Sequence, residues 1–369
     1  MDGLTDKVQE NLIIMKLYLS FFKATTLPSL TASITRSQWL PSAPSNPKGC
    51  FRAKGLSNLL ICILEKAIDS SSQPDVTIIN LLLKTNAAVT SEALIMAAAK
   101  PSSSYLTKFL EIAPSAVLND TFMLYNVVQS ASKAGVLENV NVLLKIIDDA
   151  KIGDRTRLIE ELSQAMLAAA KNGHASIVSL LLEKYDLDVD YAQHGKTALT
   201  LAAEQNRKEV VELLLEKGAS ISHVNHSNET ALISVCRRVE NDYLEVLKLL
   251  LANDASVNHQ NDDGDFALFH AAEHGFIQAI EVLLSNGAQI DLRNTLGQTS
   301  LMRAAEIKDY AVVETLIENG ANIEIETRKG GRTAFLLAAA NNVHRNYNDH
   351  QRKTLDILFR AGADINKQV

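Results

Sequence analysis

Residues 195–215 read GKTALTLAAEQNRKEVVELLL, and the pattern of this stretch returns four more times before residue 369. Its first residue aligns with Asn228, Gly264, Gly297 and Gly331, so the copies are spaced by 33, 36, 33 and 34 residues. A period near 33 residues is typical of proteins built from stacked repeat units. The repeated stretch therefore decides the fold, and the other segments are interpreted around it.

Each copy predicts two short helices. A turn residue and a Thr-Ala-Leu tripeptide, as at 197–199 and 230–232, are followed by a pair of small residues. The small pairs are Ala202-Ala203, Ala271-Ala272, Ala304-Ala305 and Ala338-Ala339. An aliphatic run with helical spacing, such as Val210, Leu213 and Leu214, predicts the second helix. The pattern therefore indicates an all-α fold of helix pairs joined by β-hairpin-like loops.

The ends of these helices carry residues suited to helix ends. A threonine stands where its hydroxyl can accept a hydrogen bond from a free backbone N–H of the first helix. These threonines are Thr197, Thr230, Thr299 and Thr333. A glycine that can adopt the left-handed conformation follows the second helix. These glycines are Gly218, Gly287, Gly320 and Gly362, and Asp254 replaces them in one unit at a predicted cost of about 1 kcal/mol.

The predicted helices are too short to be stable alone, because a helix of about ten residues has a costly nucleus and only a narrow apolar stripe. The paired alanines let the first helices approach their neighbours closely, and the leucine-rich second helices supply bulk. Stacking the units therefore buries a continuous core that no single unit could form. We expect the stability to belong to the array.

This pattern resembles the ankyrin repeat family, whose units read roughly G-x-T-P-L-H-x-A-A and then V-x-x-L-L-x-x-G-A-D-V-N. The resemblance implies a solenoid of stacked helix pairs. Two features depart from the family, and the first is the loss from every unit of the proline that starts the first helix. The second is the replacement of the family's histidine by Thr200, Ile233, Phe269, Met302 and Leu336. Apolar contacts are therefore expected to join the units where the family uses histidine hydrogen bonds.

The chain divides into four predicted segments. Residues 1–27 predict an N-terminal helix that packs on the first repeats or contacts a membrane surface or a partner. Residues 28–55 have the Pro/Ser-rich composition of a linker. Residues 56–160 keep the helix pairs without the repeat markers, which indicates degenerate ankyrin-like repeats or an unrelated helical domain that caps the array. Residues 161–369 are predicted to form about six ankyrin repeats.

Composition limits the partners and the compartment. The net charge is −7 and the acidic excess lies in residues 161–369, whereas a nucleic-acid partner requires a basic track. The best apolar run, residues 12–22, is about half the length of a membrane span and contains Lys16. The three cysteines are far apart and lack metal-ligand spacing, which indicates free thiols in a reducing compartment. We expect a cytoplasmic protein, without nucleic acid or a membrane span, and a monomer.

Two short motifs resemble enzyme signatures. Gly195-Lys196-Thr197 lacks the earlier glycine of a phosphate-binding loop, because Asp190 stands at that position. Residues 270–274 read HAAEH and match an inverted zinc-protease motif, but position 270 should face the core and no third ligand is evident. The first 173 residues contain no histidine. The sequence therefore predicts no catalytic, cofactor-binding or metal-binding residue.

The ankyrin resemblance implies protein recognition by the loop tips and the exposed side of the first helices, which together make a concave groove. Carried over by position, the partner-binding residues are Lys196, Glu204, His226, Glu229, Arg237, Arg238, Asp262, Asp263, Asp265, Glu273, His274, Gln298, Glu306, Lys329 and Arg332. A modification site is implied at Asn366, because Leu358, Asp364, Ile365 and Asn366 resemble the pattern that asparaginyl hydroxylases accept in ankyrin arrays.

The leading hypothesis is a non-enzymatic protein–protein interaction module, a scaffold or adaptor for a protein partner whose identity the sequence does not reveal. One version is an effector of an intracellular bacterium, which would act in the host cytoplasm. The alternative is an enzyme whose catalytic part is the unassigned N-terminal region and whose repeats target the substrate.

Overall fold

The computed structural model describes residues 90–101, 103–112, 121–149, 155–238, 243–340 and 349–364. These ranges contain sixteen helices and no β-strand, which confirms the prediction of an all-α fold. The predicted N-terminal helix (1–27), the predicted linker (28–55) and the predicted modification site at Asn366 lie outside the described residues.

The chain forms two compact units. The first unit is Met1–Ala97 with Tyr105–Asn119, and the second is Ala98–Ser104 with Asp120–Val369. The described part of each unit contains buried side chains, and the repeat signature lies in the second unit.

Two helices lie mostly in the first unit, α1 (Ser91–Ala98) and α2 (Ser103–Ile112). Ala93 of α1 is fully buried, as are Leu106 and Phe109 of α2. Leu94 of α1 is buried as well, and the interpretation of this segment as a degenerate repeat stays a prediction.

Seven helix pairs follow one another in the described part of the second unit. The first helices of the pairs are α3 (Thr121–Ala134), α5 (Arg155–Asn172), α7 (Ala198–Glu204), α9 (Ala231–Cys236), α11 (Ala267–Glu273), α13 (Ser300–Ile307) and α15 (Ala334–Ala339). The second helices are α4 (Leu137–Asp149), α6 (Ala175–Tyr185), α8 (Lys208–Glu216), α10 (Leu244–Ala252), α12 (Ile277–Ser285), α14 (Tyr310–Glu318) and α16 (Asp349–Arg360).

The pairs stack in chain order. Each first helix contacts the first helix of the next pair, and each second helix contacts the next second helix. The contacts continue from α3 and α4 without a break to α15 and α16. A short helix in this stack therefore has neighbours that cover its apolar stripe, as the repeat pattern requires.

The helix α5 is longer than the other first helices and contains 18 residues. It begins at Arg155 and therefore crosses the boundary predicted between residues 160 and 161. Leu162 and Met166 in its middle are fully buried. The predicted boundary therefore does not coincide with the end of a helix, and the residues of α5 before it are exposed or half-buried.

Side-chain capping of the first helices is confirmed at the four predicted threonines. Each hydroxyl oxygen accepts a hydrogen bond from the backbone N–H three residues later. The distances are 3.3 Å for Thr197 and Thr200, 3.4 Å for Thr230 and Ile233, 3.3 Å for Thr299 and Met302, and 3.4 Å for Thr333 and Leu336. The helix α11 differs, because Phe266 stands at its N-cap and provides no side-chain acceptor. Its ring is buried instead, with its centroid 5.9 Å from that of Phe269.

Left-handed residues end the second helices, as predicted. Gly218, Gly287, Gly320 and Gly362 have φ angles of 84°, 85°, 88° and 96°. Asp254 takes the same conformation with a φ of 64°. A residue with a Cβ is strained there, because its Cβ approaches the following carbonyl oxygen.

Three of the five positions where the family has histidine hold a buried apolar side chain. Ile233, Phe269 and Met302 are buried, as is Thr200, whereas Leu336 in the last first helix is half-buried. A direct link between units lies in the tails, where a side-chain oxygen accepts from a backbone N–H of the next unit. These bonds join Asp190 and Ser220 at 2.8 Å, Asn258 and Gln289 at 2.8 Å, and Asp291 and Asn322 at 2.9 Å.

Candidate functional site

The loops that precede the first helices have a common internal structure. Asn225, Asn261 and Asn294 stand at the same place in three successive loops, and the side-chain oxygen of each accepts two backbone N–H groups of its own loop. The acceptor distances lie between 2.8 and 3.0 Å. The side chain thus closes the loop locally, as in an Asx turn, and leaves the loop tip facing outward.

The loop tips present five of the predicted contact residues to solvent. His226, Asp262, Asp263, Lys329 and Arg332 are all exposed. In the described residues none of these five side chains forms an ion pair, so their charges are available to a ligand.

Two ion pairs span first helices in opposite order. In one unit Lys196 precedes α7 and Glu204 ends it, with 2.6 Å between Lys196 Nζ and Glu204 Oε1. In the next unit Glu229 precedes α9, and the guanidinium of Arg237 at its end reaches back to the Glu229 carboxylate. The two carboxylates are buried whereas the Arg237 side chain remains 58% exposed. The acids therefore hold the cations in place along the exposed side of the helices.

The unit that opens at Gly264 has acids at both equivalent positions, Asp265 and Glu273. The Glu273 carboxylate contacts two basic side chains. Arg303 of α13 forms an ion pair with it, and His270 of the same helix places its Nδ1 3.2 Å from Glu273 Oε2. Burial raises the pKa of Glu273, but the hydrogen bonds from Arg303 and His270 outweigh it and lower the pKa overall. Arg303 thus links α11 to α13 on the exposed side of the stack.

Asp265 lies in a different environment from Glu273. It is half-buried and receives a 2.9 Å hydrogen bond from the side-chain amide of Asn294, with no cation in direct contact in the described residues. Burial raises the pKa of Asp265 above its ordinary value. In the next unit, which opens at Gly297, the equivalent positions are Gln298 and Glu306. Gln298 Nε2 lies 3.4 Å from Glu306 Oε2, and Arg303 Nη1 lies 3.0 Å from the same oxygen.

The predicted residues differ in their exposure to solvent. Glu204 and Glu229 are buried beneath cations of their own units, so a direct role for these two carboxylates in partner contact stays a prediction. Arg238 is exposed at the end of α9, and His274 is half-buried with its ring centroid 5.7 Å from that of Phe276.

Two classes of residue were missed by reasoning from sequence. Asn225, Asn261 and Asn294 recur three residues before Asn228, Gly264 and Gly297, and this recurrence was a readable signal. Arg303 had no such signal, because the equivalent position in the preceding units holds Leu201, Ser234 and His270.

A cavity of about 310 Å³ lies beside α9, where Val235 and Cys236 replace the usual pair of alanines. Its other walls come from α10 and from the start of α12, including Tyr243 and Phe276. Burial raises the pKa of the Cys236 thiol to about 12, so this cysteine is an unreactive thiol at neutral pH.

The described residues contain no group of three or more His, Cys, Asp or Glu side chains placed to hold a metal ion. In the HAAEH segment His270 is buried, as predicted, and its Nδ1 contacts Glu273. None of the helices that the structure describes combines the length and the hydropathy that crossing a membrane requires.

Comparison with known protein families identifies the family to which the stacked helix pairs belong. The family model described as ankyrin repeats in three copies matches residues 129–225 and again residues 232–327. The two matches together cover more than half of the chain. The chain belongs to the ankyrin repeat family. The first match begins inside α3, so it includes the end of α3 and all of α4, which lie in the segment predicted to hold degenerate ankyrin-like repeats.

A comparison with curated proteins returned no significant match. Ankyrin repeats are generally protein–protein interaction modules and are typically non-catalytic. In this ankyrin array the loop tips and the exposed side of α7, α9, α11 and α13 carry the charged side chains described above, and we call this surface the first-helix face.

Proposed function

We propose that this ankyrin protein is a non-enzymatic scaffold or adaptor, which binds a protein partner through its first-helix face. The face has the two properties that favour specific recognition. Ion pairs hold several of its charged groups in place, and the sign of the charges changes from one unit to the next. A partner with the complementary order of charges would be steered towards the face and held in one register.

One observation carries the proposal, the pair of exposed arginines at the end of α9. Arg237 is held by Glu229, and Arg238 forms no ion pair with any residue that the structure describes. The adjacent unit is acidic, with Asp265 and Glu273 at its two equivalent positions. An exposed cation next to a unit with acids at these positions gives a partner a distinct point of contact.

The test compares two single charge reversals, Arg238→Glu and Arg352→Glu. Arg352 lies on α16, a second helix, and like Arg238 it is exposed and makes no ion pair in the described residues. Each variant is immobilised, incubated with an extract of cells that express the protein, and the retained proteins are quantified by mass spectrometry. Arg237 is left intact, because its loss would strand the buried carboxylate of Glu229.

We expect Arg238→Glu to lose at least one protein that both the wild type and Arg352→Glu retain. The melting temperatures of all three should agree, since surface substitutions of this kind change stability by less than about 0.5 kcal/mol. Retention of the same proteins by Arg238→Glu as by wild type would contradict recognition by this part of the face.

The cellular role of the module has two versions, a scaffold in its own cell and an effector of an intracellular bacterium. The acidic balance of residues 161–369 supports a protein rather than a nucleic acid as partner. The cytoplasmic location, the monomeric state and hydroxylation of Asn366 stay predictions from the sequence.

A further inference from the structure

The tips of four successive loops form one row that is joined by backbone hydrogen bonds. In each case the first tip residue of one loop donates its N–H to the carbonyl oxygen of the second tip residue of the preceding loop. The bonds run from Asp262 to Ser227 at 3.1 Å, from Thr295 to Asp263 at 3.0 Å, and from Arg328 to Leu296 at 3.0 Å. We call these residues, with His226 and Lys329, the tip row.

Side chains beneath the tip row hold the loops at a fixed distance from one another. Gln260 Nε2 donates to the carbonyl oxygens of Gly264 at 2.6 Å and Arg293 at 3.0 Å. The guanidinium of Arg293 in turn donates to the carbonyl oxygen of Glu326 in the following loop. The tips are therefore ordered before any partner arrives, which lowers the entropy cost of binding to them.

The chemistry of the tip row changes in one direction along the stack. Asp262 and Asp263 form an exposed acidic tip, and the next tip has Leu296, whose side chain is 57% exposed. The following tip is basic, with Arg328 and Lys329 exposed. None of these four charged side chains forms an ion pair within the described residues. The row thus reads acidic, apolar and basic over three units.

Neighbouring units are spaced by the packing of their helices, which places helix axes about 8–10 Å apart. A polyproline II segment has three residues per turn and rises about 3.1 Å per residue, so its residues i, i+3 and i+6 lie on one side at intervals of about 9.3 Å. A β-strand does not fit as well, because side chains three residues apart point to opposite faces.

We infer that the tip row binds an extended, polyproline II-like segment of a partner protein, with a basic residue at i, an apolar residue at i+3 and an acidic residue at i+6. The basic residue faces Asp262 and Asp263, the apolar residue packs on Leu296, and the acidic residue faces Arg328 and Lys329. This inference rests on the proposed function and specifies the partner segment that the same array would recognise.

Three fluorescein-labelled peptides test it, with the cores Lys-Pro-Pro-Leu-Pro-Pro-Glu, Lys-Pro-Pro-Leu-Pro-Pro-Lys and Glu-Pro-Pro-Leu-Pro-Pro-Glu. Prolines preset the required conformation. The two control peptides carry the same charge at both ends, so they present the same charges to the tip row whichever direction they bind in. Binding is measured by fluorescence anisotropy at low ionic strength, where exposed charges are screened least. Wild-type protein should bind the mixed peptide about threefold or more tightly than either of the others, because each exposed charge pair is worth up to about 1 kcal/mol.

The decisive variant is Asp262→Lys/Asp263→Lys, which makes both ends of the row basic. These two side chains are exposed and the row is held by backbone bonds, so the variant should melt like wild type. Its preference should change to the peptide with two glutamates, a reversal that a purely structural role cannot produce. Leu296→Ser should weaken binding of the mixed peptide in the wild-type background.

Equal affinities of the wild type for all three peptides, absence of binding to any of them, or an unchanged preference in the double lysine variant would overturn the inference. The proposed function is tested separately at Arg238. Loss of a partner from Arg238→Glu together with no discrimination among the peptides would leave the proposed function standing and remove only the tip-row segment.

Discussion

The backbone N–H of Thr295 donates a 3.0 Å hydrogen bond to the carbonyl oxygen of Asp263, and the Thr295 hydroxyl donates to the same oxygen at 2.6 Å. These two hydrogen bonds join loops whose bonded residues are 32 positions apart in the chain. They require the backbone of the second loop to pass very close to Gly264, where a Cβ would lie 2.6 Å from Thr295 N. The glycine of the repeat is therefore needed for contact between units as well as for the turn.

Gly264→Ala should destabilise the array much more than Gly287→Ala. Both glycines have positive φ, 73° and 85°, so alanine at either position costs about 1 kcal/mol. A Cβ at Gly287 meets no atom within 4 Å, whereas at Gly264 it meets the next loop and should cost about 1–3 kcal/mol more. Urea denaturation followed by circular dichroism measures both losses, and equal losses would refute a close approach at Gly264.

Asp254→Gly should stabilise the array by about 1 kcal/mol, because it removes a Cβ from a left-handed residue. For a unit of this size the melting temperature should rise by about 2–4 °C. Asp254→Ala is the matched control, since it also removes the charge but keeps the strain, and it should not stabilise. A melting temperature that stays the same or falls in Asp254→Gly would count against the strain.

Thr299→Val should destabilise α13 by about 1 kcal/mol, because valine keeps the volume of the buried side chain but cannot accept from Met302 N–H. Thr299→Ser is the control that keeps the acceptor, and it should be the more stable of the two variants. Thermal melts of the three proteins decide the matter, and a valine variant as stable as wild type would show that the cap contributes nothing.

Asp265→Asn should stabilise the array at neutral pH and should lose this advantage in acid. Burial raises the pKa of Asp265, so ionisation costs more in the folded chain than in the unfolded one. The contribution of this carboxyl is fully present below its unfolded pKa of 3.8 and is lost as the pH rises through the folded value. Asparagine still accepts from Asn294, so the gain measured by urea denaturation should shrink as the pH approaches 3.8.

Glu273→Gln provides the control of opposite sign in the same patch. The pKa of Glu273 is lowered, so its carboxylate stabilises the fold above the unfolded pKa of 4.5 and loses that effect as the pH falls through the folded value. The variant should therefore be less stable than wild type at neutral pH, and the difference should shrink in acid. The same pH dependence for both variants would contradict the assigned environments of the two acids.

The repeat could be predicted in detail because its requirements are local. A threonine three residues before a free N–H and a glycine at a left-handed turn are properties of a few consecutive residues, and Thr197 and Gly218 do what their positions predicted. The boundary before residue 161 was less predictable, because residues 155–161 of α5 are exposed or half-buried and carry neither the marker pattern nor a buried side chain.

The sequence by itself determined the period, the helix pairs, their caps and the residues that would lie at the loop tips, because each depends on neighbours in the chain. Only the tertiary structure decided which charges meet. Glu273 pairs with Arg303 across two units, and Glu204 and Glu229 are buried under cations of their own units. The contact between Glu273 and Arg303 depends on the offset between stacked helices, and that offset is set by packing of the whole array rather than by any one stretch of sequence.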